Sequence, residues 1–146
     1  MTDSILHLVI LLTLQKPFFQ KIKKHHPDIP TVVYIKHSGA LIERMAGTGV
    51  DVVSLDWTVD MAEGRERIAN GRKAAGLKGP GGVQGNLDPG VLMANQDVIK
   101  ERTEEILKKA GNTGHVMNLG HGIEACTSEE NAHFFIQTVR NFRHEE

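Results

Sequence analysis

The sequence predicts an α/β protein with a parallel sheet, on three observations. Short runs of strand-favouring residues recur along the chain at 31–35, 51–55, 82–85 and 115–119. Each run is followed by a stretch long enough to form a helix, and connections of that length join parallel strands, whereas hairpins need only a few residues. The runs are also largely apolar, as expected for strands buried on both faces. An open doubly wound sheet and part of a (β/α)8 barrel both fit this pattern.

One helix is predicted after each strand, at 40–46, 58–73, 95–109 and from Thr127 towards the C-terminus. The third helix has apolar pairs two helical turns apart, as one buried face requires, and Gly111 follows it as a C-terminal cap. The last helix opens with a capping-box pattern, and its apolar residues are spaced to share one face. The stretch Asn70 to Gly82 is rich in glycine and basic residues, which predicts a mobile surface loop.

The composition is that of an ordinary globular protein, with 40% hydrophobic and 24% charged residues among 146. The net charge of −1 gives no reason to expect nucleic acid or an anionic membrane as a partner. Cys126 is the single cysteine, which excludes an internal disulfide and a cluster of cysteines around a metal. No H-E-x-x-H motif occurs among the eight histidines, so we expect no metal.

The segment Ile5 to Leu14 is nearly all apolar. It is too short to span a bilayer, which takes about 20 residues. The residues before it supply neither the positive charge nor the cleavage site of a secretory signal. We therefore expect a buried helix or strand there.

Polar side chains follow each predicted strand at the point where it ends. Because the carboxyl ends of parallel strands meet at one edge of the sheet, ligands of α/β proteins bind there. The residues at these exits are 36–39, Asp56 with Trp57, Asn86 with Asp88, and His121.

His121 is the sharpest single candidate for binding or proton transfer. It lies between Gly120 and Gly122 directly after a strand, so a ligand can approach the backbone closely and no bulky neighbour shields the ring. The alternative is a histidine that caps the following turn. His115 opens a strand, where packing is expected instead of chemistry.

Asp56 and Asp88 are candidates for a carboxylate pair in acid–base work. For Asp88 the favoured alternative is a turn residue before Pro89, and for Asp56 the alternative is an acceptor for a neighbouring backbone amide. Trp57, the single tryptophan, is expected to be a wall of the site or a helix-packing residue.

Three of these exits resemble successive motifs of the uroporphyrinogen decarboxylase family, in the same order. They are 53–59 (VSLDWTV), 83–89 (VQGNLDP) and 117–123 (MNLGHGI). The segments 16–19 and 41–45 also resemble that family, in its plant and algal form. The resemblance divides the chain into a non-matching segment, 1–13, and a partial decarboxylase domain, 14–146, with a glycine-rich insertion at about 70–82.

The resemblance implies a fold and an activity. The fold is the C-terminal half, the fifth to eighth strands, of a (β/α)8 TIM barrel. The activity is the loss of the acetate carboxylates of uroporphyrinogen, giving coproporphyrinogen in heme and chlorophyll synthesis, without metal or organic cofactor. His121 matches the family histidine that contacts the carboxylate arms of the substrate, and Asp56 and Asn86 are further pocket candidates. The family's arginines, pyrrole-binding aspartate, tyrosine and serine lie in the first half, so no catalytic residue is assigned here.

The chain alone is accordingly predicted to be an inactive fragment. The resemblance implies a small-molecule tetrapyrrole partner, a homodimer for the full-length family, and a cytoplasmic or plastid location, with no nucleic acid or membrane partner. One alternative is a non-catalytic remnant or association module, because half a barrel leaves open strand edges. The other is the related corrinoid methyltransferase branch, which uses zinc; the single thiol, Cys126, argues against it.

Overall fold

The computed structural model describes residues 15–144, so the apolar segment 5–14 lies outside the described residues. Four parallel strands form one sheet, in which each strand pairs with the next along the chain. The predicted α/β class with a parallel sheet is confirmed, and the sequential order is consistent with part of a (β/α)8 barrel. The strands are β1 (Val32–Tyr34), β2 (Val52–Ser54), β3 (Gly82–Gln84) and β4 (His115–Val116).

The helices lie before and after these strands, and the predicted ones are found within a few residues of their expected bounds. Gly111, with a φ of 75°, caps α4 as predicted. Ser128 caps α5, and the third residue after it is Asn131, so the strict capping box is not formed. The helices are α1 (15–25), α2 (Ile42–Ala46), α3 (Met61–Ala74), α4 (Gln96–Ala110) and α5 (Glu129–Asn141), with 3-10 turns at Gly39–Leu41 and Pro89–Met93.

One face of the sheet packs on the helices. Val33, Val53 and Val83 are in register across the first three strands, and all are buried. They form one core cluster with Met45 of α2 and Ile68 of α3, among others. Because each fully buried aliphatic side chain contributes about 1.5–3 kcal/mol, this layer stabilises the packing of the sheet on the helices.

The opposite face of the sheet is more open. Tyr34, Ser54, Gln84 and Val116 form a row across all four strands. Tyr34 and Val116, on the two edge strands, are 40% and 52% exposed. Period-two alternation along β1 turns Tyr34 away from the helices that cover Val33. This row, on the open face, is formed by the last residue of each strand and therefore lies at the carboxyl edge of the sheet.

The loop predicted over 70–82 is wrong for its first residues, because α3 continues to Ala74 and β3 begins at Gly82. Gly71 is a packing residue of α3: a Cβ there would lie 2.4 Å from the carbonyl oxygen of Glu43 in α2. The Arg72 guanidinium donates to the carbonyl oxygens of Val50, Lys78 and Gly79 at 2.7–3.1 Å. Gly71, which indicated a loop, instead allows α3 to pack closely on α2. Arg72, which indicated a loop as well, anchors the shorter loop that follows α3.

His115 is packed as expected, on the helix side of the sheet in register with Val83. Its Nε2 lies 2.6 Å from the carbonyl oxygen of Gly85. Burial lowers the pKa of the His115 ring, and the bond to Gly85 only partly offsets this. The charged ring is thus disfavoured in the folded state.

We therefore expect the fold to lose stability as the pH falls, partly through His115. A group with a lowered folded pKa stabilises the fold above its unfolded pKa, about 6.5 for histidine, and this contribution is lost as the pH falls below that value. Urea unfolding at about pH 7.5 and about pH 5.5 should show a smaller pH dependence for His115→Gln than for the wild type. The same change at the exposed His26 is the control; equal pH dependence in all three proteins would contradict the role of His115.

Candidate functional site

The loops after the strands converge at the carboxyl edge of the sheet. A bridge between Leu87 and Leu119 continues the pairing of β3 and β4 beyond their last strand residues. His37, Trp57 and His121, which follow β1, β2 and β4, are in ring contact with one another through Trp57. The structure thus brings together three of the predicted strand exits.

His121 lies in a stack of aromatic rings. Its ring centroid is 5.6 Å from that of Trp57, at an interplanar angle of 27°. The ring of Tyr34 is stacked on that of His121, with centroids 6.4 Å apart and an interplanar angle of 22°. The Tyr34 Oη is 3.3 Å from His121 Nδ1. His37 meets Trp57 edge to face at 5.9 Å. Such contacts between rings hold an imidazole in a defined orientation.

Gly120 is where the loop after β4 meets the loop after β2. A Cβ at Gly120 would lie 2.4 Å from the backbone nitrogen of Trp57 and 2.7 Å from its Cα. No such overlap occurs at Gly122, where nothing would lie within 4 Å of an added Cβ. The two glycines beside His121 therefore differ: the backbone of Gly120 packs directly on Trp57, whereas a Cβ at Gly122 would meet only open space.

Asp56 holds two of the loops together. Its carboxylate, on a residue only 1% exposed, accepts hydrogen bonds from the His37 amide at 3.0 Å and from the Thr58 amide and hydroxyl at 3.1 and 2.8 Å. Burial raises the pKa of this carboxyl, but these hydrogen bonds outweigh it and hold the pKa below its usual range. Asp56 thus accepts from neighbouring backbone amides, which is the alternative that its sequence position predicted.

Asn86 and Asp88 are also bound to the backbone. Asn86 is 3% exposed, and its Nδ2 donates to the carbonyl oxygens of Asp56 and Val59 at 2.9 and 2.6 Å. Asp88 is exposed and accepts from the Gly90 amide at 2.8 Å, at the start of a 3-10 turn. The favoured turn role of Asp88 is confirmed. The hydrogen bonds of Asp56 and Asn86 hold the loop after β2 in place, which positions Trp57.

Tyr34 was not among the residues singled out from sequence. It lies in the strand-favouring run 31–35, yet its hydroxyl lies 3.2 Å from the carbonyl oxygen of Gly120, which follows the opposite edge strand, β4. The signal available was alternation: Val33 and Tyr34 must face opposite ways along β1, and the strand ends just after Tyr34. A phenol on the face away from the helices, next to the ligand edge, is a site candidate.

Within residues 15–144, no group of three or more His, Cys, Asp or Glu side chains lies close enough to hold a metal ion. Cys126 is exposed, and its Sγ lies 3.2 Å from the sulfur of Met93. None of the helices in the described part of the chain combines the length and the apolar character needed to cross a membrane.

Comparison with known proteins agrees with the motifs at the strand exits. The family described as Uroporphyrinogen decarboxylase (URO-D) matches residues 9–142. Uroporphyrinogen decarboxylase of Picosynechococcus sp. is 47% identical over 130 residues, which cover 89% of this chain and 35% of the relative. The enzyme of Trichodesmium erythraeum is 49% identical over 129 residues, 88% of this chain and 34% of the relative.

A plant relative gives the same result. Uroporphyrinogen decarboxylase, chloroplastic, of Zea mays is 46% identical over 129 residues, 88% of this chain and 30% of the relative. The chain thus spans about a third of the length of the curated relatives that it matches. The division at residue 13 and the insertion at about 70–82 stay predictions. With a match over most of its length and close cyanobacterial and plant relatives, the chain belongs to the uroporphyrinogen decarboxylase family.

Proposed function

We propose that this chain supplies the C-terminal half of a uroporphyrinogen decarboxylase, the fifth to eighth strands of its (β/α)8 barrel. In this proposal the complete enzyme removes the acetate carboxylates of uroporphyrinogen to give coproporphyrinogen, in the cytoplasm or a plastid, and as a homodimer. The observation that carries it is His121: the sequence match includes its motif, and its ring is half-buried among aromatic residues at the ligand edge of the sheet.

The proposed role of His121 is contact with a carboxylate arm of the substrate. A protonated imidazole donates a charge-assisted hydrogen bond to a carboxylate, stronger than a neutral one. Tyr34, which is 40% exposed, and the partly exposed Trp57 place aromatic surface beside that donor, which suits a large cyclic tetrapyrrole. Asp56 and Asn86 support this proposal as residues that hold the Trp57 loop in place.

A chimera tests this function directly. Residues 15–142 of this chain would replace the matching third of the chloroplastic Zea mays enzyme, and decarboxylation of uroporphyrinogen would be measured. We expect the chimera to form coproporphyrinogen. A hydrogen bond to a charged group contributes about 1.5–3 kcal/mol, so His121→Ala in the chimera should lower kcat/KM by about 10- to 100-fold.

The control for His121→Ala is His133→Ala, an exposed position on α5. A folded chimera without turnover would contradict the proposed function. Equal activity of the two alanine variants would show that His121 does not contact the substrate. The 146-residue chain alone is expected to give no turnover, because the family residues that bind the pyrrole nitrogens come from the other half.

A second candidate is an association module without catalysis of its own. The exposure of Val32, Tyr34 and Val116 at 48%, 40% and 52% on the two edge strands favours it, because unpaired edges and an open apolar face invite other strands. Size-exclusion chromatography of the chain, together with the activity of the chimera, distinguishes the two. A stable oligomer together with an inactive chimera would favour the module, and an active chimera would favour the enzyme.

A further inference from the structure

The Tyr34 hydroxyl lies between two partners that fix the direction of its single proton. One is the carbonyl oxygen of Gly120 at 3.2 Å, and the other is His121 Nδ1 at 3.3 Å. A carbonyl oxygen accepts and cannot donate, so in this hydrogen bond the Tyr34 O–H donates to Gly120. The lone pair of Oη then remains for Nδ1, which has to carry a proton to donate to it.

We propose that Tyr34 is a positioning residue that fixes the tautomer of His121, holding the ring proton on Nδ1 and leaving Nε2 as the atom that meets a ligand. The hydrogen bonds found in the described part of the chain engage Nδ1 of this ring and leave Nε2 unbonded. Trp57, stacked at 5.6 Å, limits rotation of the ring and so supports the same arrangement.

The state of Tyr34 agrees with its part in this arrangement. Burial, with the negative charge of Asp56, raises the pKa of the Tyr34 hydroxyl, which therefore keeps its proton over the working range of pH. Asp56 is fixed by hydrogen bonds from His37 and Thr58, so its charge is a constant part of the site. The Tyr34 hydroxyl therefore stays protonated, and its two contacts, with the Gly120 carbonyl oxygen and His121 Nδ1, set its orientation.

The consequence for chemistry is that His121 exchanges protons with a ligand through Nε2 alone. When the ring is protonated, Nε2–H donates to a carboxylate; when it is neutral, Nε2 accepts from a protonated carboxyl or an N–H group. This consequence rests on the proposed function, in which His121 meets a carboxylate arm. The tautomer itself does not rest on it and is measured without any substrate.

The experiment is NMR of the whole 146-residue chain carrying 15N-labelled histidine, at about pH 9, where histidine rings are ordinarily neutral. The His121 ring is assigned from the signals lost in His121→Gln. We expect the Nδ1–H tautomer of His121 to dominate in the wild type. Tyr34→Phe keeps the aromatic ring and should shift the tautomer ratio towards Nε2–H by about fivefold, the effect of one ordinary hydrogen bond.

His25 is the internal control, because its ring contacts the Lys21 carbonyl oxygen in α1 and should keep its tautomer in Tyr34→Phe. Predominance of Nε2–H in the wild type, a measurement that needs no variant, would overturn the inference. So would an unchanged ratio in folded Tyr34→Phe. An inactive chimera combined with the expected tautomer would contradict the decarboxylase proposal but not the role of Tyr34. An active chimera with the Nε2–H tautomer would contradict the role of Tyr34 but not the decarboxylase proposal.

Discussion

Replacing Gly120 with alanine is expected to abolish most of the activity of the chimera while Gly122→Ala leaves it nearly unchanged. The added methyl of Gly120→Ala would lie 2.4 Å from the Trp57 backbone nitrogen, and neither backbone segment can rotate out of the way as a side chain can. One of the two loops must move by about 1 Å to restore van der Waals contact. A displacement of about that size at a reacting site costs about a hundredfold in rate.

The same substitution should also destabilise the fold. Overpacking of this kind typically costs about 1–3 kcal/mol, whereas the open position of Gly122 predicts a change within about 0.5 kcal/mol. Urea unfolding followed by the emission of Trp57, the single tryptophan, reports both stability and the environment of the ring that Gly120 touches. Equal behaviour of the two variants, in activity and in unfolding, would show that the contact with Trp57 does not position His121.

The strand exits predicted from sequence were found where expected because their signal is local. Runs of β-branched residues form strands, and connections of helical length make them parallel, so the polar residues after them reach one edge of the sheet. The family membership inferred from the motifs at 53–59, 83–89 and 117–123 is confirmed as well. These conclusions need only neighbouring residues and their order along the chain.

The features missed from sequence depend on contacts between distant segments. Tyr34 and Gly120 are separated by 86 positions, and nothing near either residue indicates that they meet. Gly71 looked like a loop residue because a close helix–helix contact and a turn both require glycine. Gly120 was expected to admit a ligand, but the space that its missing side chain leaves is filled by Trp57. A glycine in sequence shows that space is needed, and only the fold shows what occupies it.

Asp56 illustrates how a residue chosen for chemistry can act through structure. Its carboxylate oxygens accept from the His37 amide, the Thr58 amide and the Thr58 hydroxyl, so it joins the loops that carry His37 and Trp57. In Asp56→Asn one of those oxygens becomes an NH2 group that faces another donor. A buried donor without an acceptor costs about 1–3 kcal/mol, and the charge of the acceptor adds to the loss.

Asp56→Asn should therefore lower the free energy of unfolding by about 2–4 kcal/mol near neutral pH, by urea titration. Because the pKa of Asp56 is lowered in the fold, its contribution is present above the usual carboxyl pKa of about 3.9 and is lost as the pH falls below it. The difference between wild type and variant should thus shrink at about pH 3. Asp28→Asn, the same change at an exposed position, controls for the charge alone. If both variants unfold alike, the carboxylate of Asp56 does not hold the two loops, and the arrangement of His37, Trp57 and His121 must depend on the ring contacts themselves.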